Sequence, residues 1–139
     1  MDEDAERIDA LLLPVGAEWH ALDLADVREV LPAVSTTPVP AAPGWLDGLA
    51  NIRGEIVPVV SSARALGADD TTGTDSTPTH LVLAEATAGV LAIAATGTPR
   101  ACRLGARAGT TERAGGRGRY LADDRLCTLL DLDELTGAP

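Results

Sequence analysis

The sequence contains no lysine and no phenylalanine, and aromatic residues make up only 2% of its 139 positions. Without Phe, a core has to be assembled from Leu, Val, Ile and Ala, and the 45% of hydrophobic residues is enough to build one. Cysteine is scarce: Cys102 and Cys127 have neither the number nor the spacing of a zinc site or a disulfide framework, and both read as reduced interior residues. No apolar run approaches the ~20 residues of a membrane-spanning helix. The opening Met1-Asp2-Glu3-Asp4 is acidic where a signal peptide is basic, so no membrane insertion and a cytoplasmic location are expected. Catalytic signatures are also missing. There is no G-x-S-x-G, no H-E-x-x-H and no Cys-His pair at a known spacing, and Gly115-Gly116-Arg117-Gly118 neither follows a clear strand nor opens a helix as a phosphate loop would. The expectation is a protein that is not an enzyme, with no catalytic residue, no metal ligand and no cofactor.

What is present is acid, glycine and proline. A net charge of -10 and a pI near 4.4 argue against a general nucleic-acid binder and for a partner that is a protein or a small molecule. Against that background Arg100, Arg103, Arg107, Arg113, Arg117 and Arg119 share one window with a single acid, Glu112. The window matches no recognition motif and has no aromatic platform except Tyr120 at its edge, so a solvated stretch or contact with an acidic partner surface fits it better than nucleic acid. Nine prolines and 14 glycines punctuate short apolar runs, which favours many short strands over long helices.

The most informative stretch runs from Pro43 to Gly67. Leu49-Ala50-Asn51-Ile52-Arg53 and Ile56-Val57-Pro58-Val59-Val60 read as two apolar arms of a hairpin turning at Gly54-Glu55, with Gly48 before the first. Arg53 falls at a strand end, where a half-buried guanidinium needs a carboxylate from elsewhere in the chain. Among the acids of the first half, Glu18 and Glu55 sit at turns and Asp47 precedes a glycine bend, whereas Glu29 lies in a strand between Val27 and Val30, so it is expected to face Arg53 across neighbouring strands of the first lobe. Pro58 gives up a ladder donor, so its arm should lie at an edge or leave one side of its backbone unpaired.

Met1 to Asp9 reads as a charged tail. Strands are expected over Ala10–Val15, Trp19–Leu24, Val27–Leu31, Thr79–Ala84, Val90–Ala94, Pro99–Leu104, Arg119–Leu121 and Arg125–Leu130, with short helical turns at Ala25-Asp26, after Ser61 and at the end, where Asp131 and Glu134 have capping-box spacing. Ala68 to Pro78 reads as a flexible connection, and Gly105 to Gly118 shows no hydrophobic periodicity. His20 lacks a second ligand or base at motif spacing and reads as a satisfied core or boundary histidine; His80 is read in the same way.

G-L-A-N-I-R-G-E-I-V-P-V-V, H-A-L-D-L-A-D-V-R-E-V-L-P and the closing L-C-T-L-L-D-L-D-E-L together resemble the CheW-like domain family of chemotaxis adaptors. The resemblance covers roughly Leu11 to Leu135. It implies an all-β fold of two small five-stranded SH3-like β-barrel lobes sharing a core, with residues 1–9 a tail and residues 10–139 a single domain, lobe one over about 20–78 and lobe two over about 79–125. It also implies a non-enzymatic adaptor whose partners are a chemoreceptor cytoplasmic tip and the regulatory domain of the histidine kinase CheA. The alternative is a diverged module of the same fold serving another regulatory partner. The residues assigned to partner binding on this basis are Val27, Glu29, Val30, Gly48, Asn51, Arg53 and Gly54.

Overall fold

The computed structural model describes residues 8–62, 77–105, 107–109, 116–122 and 125–136. Among these residues the strands are β1 (Ile8–Val15), β2 (Glu18–Asp23), β3 (Val27–Pro32), β4 (Leu46–Ile52), β5 (Glu55–Val60), β6 (His80–Ala86), β7 (Gly89–Ala95), β8 (Arg100–Leu104), β9 (Arg107–Gly109), β10 (Gly116–Ala122) and β11 (Arg125–Leu130). A 3-10 turn spans Leu24–Asp26, and a short helix, α1 (Leu132–Leu135), follows β11. Asp23 and Asp131 start these two turns as N-caps, each carboxylate accepting a backbone N–H, from Ala25 and from Glu134.

Two sheets form, ordered β3-β6-β7-β5-β4 and β8-β1-β2-β11-β10-β9. Each closes on itself. The chain beyond β3 returns to β4 at Thr37, whose N–H donates to the Leu49 carbonyl at 2.8 Å and whose carbonyl accepts from Leu49 at 2.9 Å. In the other sheet β8 pairs with β1 and its continuation β9 pairs with β10, while Gly105 between them donates to the Leu121 carbonyl at 2.8 Å. Because β8 and β9 act as one bent strand, both rings are five-stranded barrels, and closure shortens the free strand edges among the described residues. The all-β, SH3-like double-barrel architecture expected from the sequence is the one present.

The sheets do not divide the chain where the sequence suggests. Strands β6 and β7 lie beyond the polar connection yet pair with β3 and β5, so lobe one is β3 to β7; β1 and β2 precede it yet pair with β8 and β11, so lobe two is built from both ends. Lobe bounds of about 20–78 and 79–125 are therefore corrected. A polar linker reports solvent exposure and carries no information about strand pairing. Ile8 and Asp9, expected in the tail, already pair with Leu104 and Arg103 as part of β1. Gly105 to Gly118, expected to be without pattern, contains β9 and the start of β10. Expectations about the Ala68–Pro78 connection and the helix after Ser61 fall largely on residues outside the described ones.

Alternation along the strands builds three cores at once. On β1, Ala10 and Leu12 point into the lobe two barrel while Leu11 and Leu13 point to the other lobe. On β6, Leu81 and Leu83 fill the lobe one barrel while Val82 and Ala84 join Leu11, Leu13, Leu22 and Leu130 between the lobes. Strands buried on both faces have to read as continuous apolar runs, which is why LLLPV and LVLA show so little alternation.

Polar links cross the same seam. His20 on β2 is fully buried, with Nδ1 2.8 Å from the Ser62 Oγ beyond β5 and Nε2 3.0 Å from a Glu18 carboxylate oxygen. Both ring nitrogens are thus satisfied, as a buried imidazole requires. Thr87, in the β6–β7 turn, donates its N–H (2.9 Å) and its hydroxyl (2.7 Å) to the Asp133 carboxylate on α1.

Candidate functional site

The β4–β5 hairpin turns on only two residues, because Ile52 pairs with Glu55. Both central residues are left-handed, Arg53 at φ 53 and Gly54 at φ 87, the pattern of a type I′ turn. The Asn51 Oδ1 accepts the Gly54 N–H at 2.9 Å and holds the tip. Asn-Ile-Arg-Gly is therefore a folding instruction as well as a surface: Asn secures the turn, Ile52 anchors it in the lobe one core, and Gly tolerates the φ.

Glu29 comes to this tip from β3. A bulge between Val27 and Glu29 places Glu29 opposite Leu83, a residue of the barrel interior, so its carboxylate stands at the rim of lobe one. Arg28, displaced by the bulge, pairs with Glu85 at 3.3 Å. Both guanidinium nitrogens of Arg53 donate to Glu29: Nη1 to Oε1 at 3.0 Å, and Nη2 to Oε2 in a closer contact. This bidentate pair holds the Glu29 carboxyl below its ordinary range, chiefly through the hydrogen bond from Arg53, and raises the Arg53 guanidinium for the same reason.

The pairing of Glu29 with Arg53 is present, and the environment differs from the one expected. Arg53 lies one residue past β4, in the turn, with its side chain 66% exposed, and Glu29 is 37% exposed. An exposed pair contributes little to folding stability, so its effect is to fix two side chains in one geometry at the lobe one rim. Strands β3 and β4 are not adjacent in the sheet order; they meet at the closing seam.

Of the seven residues assigned from the sequence, Glu29, Asn51, Arg53 and Gly54 form one cluster. Gly48 is buried below it at the closure, where a Cβ would lie 2.5 Å from the Thr37 carbonyl oxygen and 2.6 Å from the Thr36 Cγ2. Val27 packs against the core between the lobes, and Val30 is 41% exposed on β3. Pro58 sits one residue before β5 begins its parallel pairing with β7 at Val59, so its missing donor costs no ladder bond on that side. Ile56, the cross-strand neighbour of Asn51, was not singled out from the sequence; it is 63% exposed, and its place on the outward phase of an alternating arm was the available signal. Among the described residues no group of three or more His, Cys, Asp or Glu is placed to hold a metal ion. No helix among them is long and apolar enough to cross a membrane.

The fold and the rim define a closed double-barrel β protein that displays a fixed ion pair at the seam of one barrel. The model of the CheW-like domain matches residues 9–138, and the chain belongs to that family. It is 29% identical over 56 residues to the chemotaxis protein CheW of Treponema pallidum, covering 40% of this chain and 33% of that protein. It is 31% identical over 62 residues to the chemotaxis protein CheW of Thermotoga maritima, covering 45% and 41%. These matched stretches span less than half of either relative. In three dimensions the chain is similar to the scaffolding protein TtCheW from Thermoanaerobacter tengcongensis, with a TM-score of 0.76, 20% identity, and 94% of this chain and 93% of that one covered.

Proposed function

We propose that the protein is a non-enzymatic adaptor of chemotaxis, located in the cytoplasm, that couples a chemoreceptor cytoplasmic tip to the regulatory domain of the histidine kinase CheA. The observation that carries this reading is the family match across residues 9–138, supported by a fold shared over nearly the whole chain with a protein described as a scaffold. The Glu29–Arg53 cluster at the lobe one rim, with Asn51 and Gly54 shaping it and Val27, Val30 and Gly48 supporting it from β3 and β4, is the surface assigned to the partner. An exposed, pre-ordered bidentate pair suits that role. Its side-chain entropy is already spent in the free protein, and either charge can be shared with a partner group on docking.

The test is co-sedimentation of the purified protein with receptor-containing membranes and the kinase. The adaptor reading expects the kinase to appear in the pellet only when this protein is present, and Arg53→Ala to release it. Kinase retained equally without the protein would overturn the coupling role.

A further inference from the structure

We propose that the outer face of the β10–β11 hairpin in lobe two is a docking surface for a protein partner that presents carboxylates beside an apolar ridge. Leu121 and Leu126 are directly paired across the two strands and are 43% and 47% exposed, an apolar pair on an outward face. Arg119 is exposed on the same face one pair further along, opposite Thr128. Arg125, one residue before Leu126 and on the phase of the buried Cys127, is exposed at the strand end next to this face, with its guanidinium 4.3 Å from the centroid of the half-buried Trp19 ring. That contact holds the cation in place without neutralising it. Ala17, Glu18, Trp19, Arg119, Leu126 and Thr128 line a cleft of about 230 Å³ beside the pair.

Charge selects the partner. Strands β8 to β11 carry Arg100, Arg103, Arg107, Arg117, Arg119 and Arg125 and no Asp or Glu, on a chain whose net charge is -10. Arg103 is balanced by Asp9 at 3.1 Å, whereas no acid among the described residues pairs with Arg119. The exposed Arg119 and Arg125 on an acidic molecule steer an acidic partner to this end of lobe two and away from the rest. Closure of the barrel leaves β10 paired on both sides, so the partner cannot add a strand and must dock through side chains. Nucleic acid fits less well. The Trp19 face is already covered by Arg125, leaving no platform for a base, and the Leu121–Leu126 pair offers nothing to a phosphate. This face is distinct from the Glu29–Arg53 rim, and its test does not depend on the adaptor reading.

The test uses amide and indole chemical shifts of the isotope-labelled full chain, titrated with a short blocked peptide alternating Glu and Leu, its Gln-Leu counterpart, and oligothymidine. Saturable shifts at Arg119 to Thr128 and at the Trp19 indole are expected with the Glu-Leu peptide, weakened at least about tenfold by Arg119→Glu or by Leu126→Ser. Folding of each variant is checked by its unchanged thermal transition. Equal binding of the Gln-Leu peptide, tighter binding of oligothymidine, or shifts confined to the β4–β5 hairpin would each overturn the proposal. So would concentration-dependent shifts of the same residues in the free protein, which would make the face a self-association surface.

Discussion

The two lobes use one pairing scheme entered at different points of the chain. In lobe one the β4–β5 hairpin joins in parallel to β7, β7 pairs with β6, β6 with β3, and the chain beyond β3 closes on β4; in lobe two the β10–β11 hairpin joins in parallel to β2, β2 pairs with β1, β1 with β8, and β9 closes on β10. The correspondence extends to single residues. Each hairpin has its bulge at the same place, between Leu46 and Gly48 opposite Val60 and Val59, and between Gly116 and Gly118 opposite Leu130 and Leu129. What differs is the outward chemistry. Asn51 faces Ile56 in lobe one where Leu121 faces Leu126 in lobe two, and the lobe one rim carries a neutralised ion pair where lobe two carries arginines. The lesson is that inward alternation and a glycine at the bulge build the barrel, while the outward positions are free to specialise.

The links between lobes repeat the comparison. The turn after β5 meets lobe two through His20 and Ser62, fully buried, and the helix after β11 meets lobe one through Asp133 and Thr87, exposed. One architecture thus holds a buried link and an exposed one in corresponding places.

The largest effect is expected where that shared scaffold is broken. Gly48→Val forces a side chain into the Thr37 carbonyl and should open lobe one at its seam, costing about 3 kcal/mol in urea-induced unfolding. Gly54→Ala, with nothing within 4 Å but a φ of +87, should cost only about 1 kcal/mol. Equal costs would mean that closure at Thr37 does not matter.

His20→Ala comes next. It leaves the Ser62 hydroxyl buried without its partner and a cavity between the lobes, for about 2–3 kcal/mol by the same measurement. Asp133→Asn, at the exposed counterpart, should lower the melting temperature far less.

The smallest effect depends on pH. The Asp133 carboxyl is held below its ordinary value of 3.8, first by the Thr87 hydroxyl and then by the Thr87 N–H. A depressed carboxyl contributes stability that is present above its unfolded value and is lost as pH falls through the folded one. The melting-temperature gap between the wild type and Asp133→Asn should therefore be constant at neutral pH and shrink as pH falls below 3.8. A gap that widens in acid would contradict the assignment.

Much of lobe one was legible in the sequence. The central hairpin could be read because its arms alternate around a glycine turn, and the Glu29–Arg53 pair because Glu29 sits in mid-strand between Val27 and Val30. The setting of Arg53 was not legible: a strand end and a type I′ turn differ by one residue, and the left-handed φ of a non-glycine residue leaves no mark in composition. Lobe membership was hidden for another reason. Strands buried on both faces, such as β1 and β6, show continuous apolar runs that do not say which sheet they enter. β9 escaped because Arg107-Ala108-Gly109 has no apolar pattern and is ordered by closure of the ring.

The central claim is that the Glu29–Arg53 pair acts as one unit at the partner surface of lobe one. It is tested most directly by a double-mutant cycle of Glu29→Ala and Arg53→Ala, measured as binding to receptor membranes and to the kinase regulatory domain. Each single change should weaken binding to at least one of these partners by about tenfold or more while leaving the melting temperature within about 2 °C, as befits an exposed pair. The double variant should lose clearly less than the product of the two. Strictly multiplicative losses, or single variants that bind as the wild type does, would contradict the account.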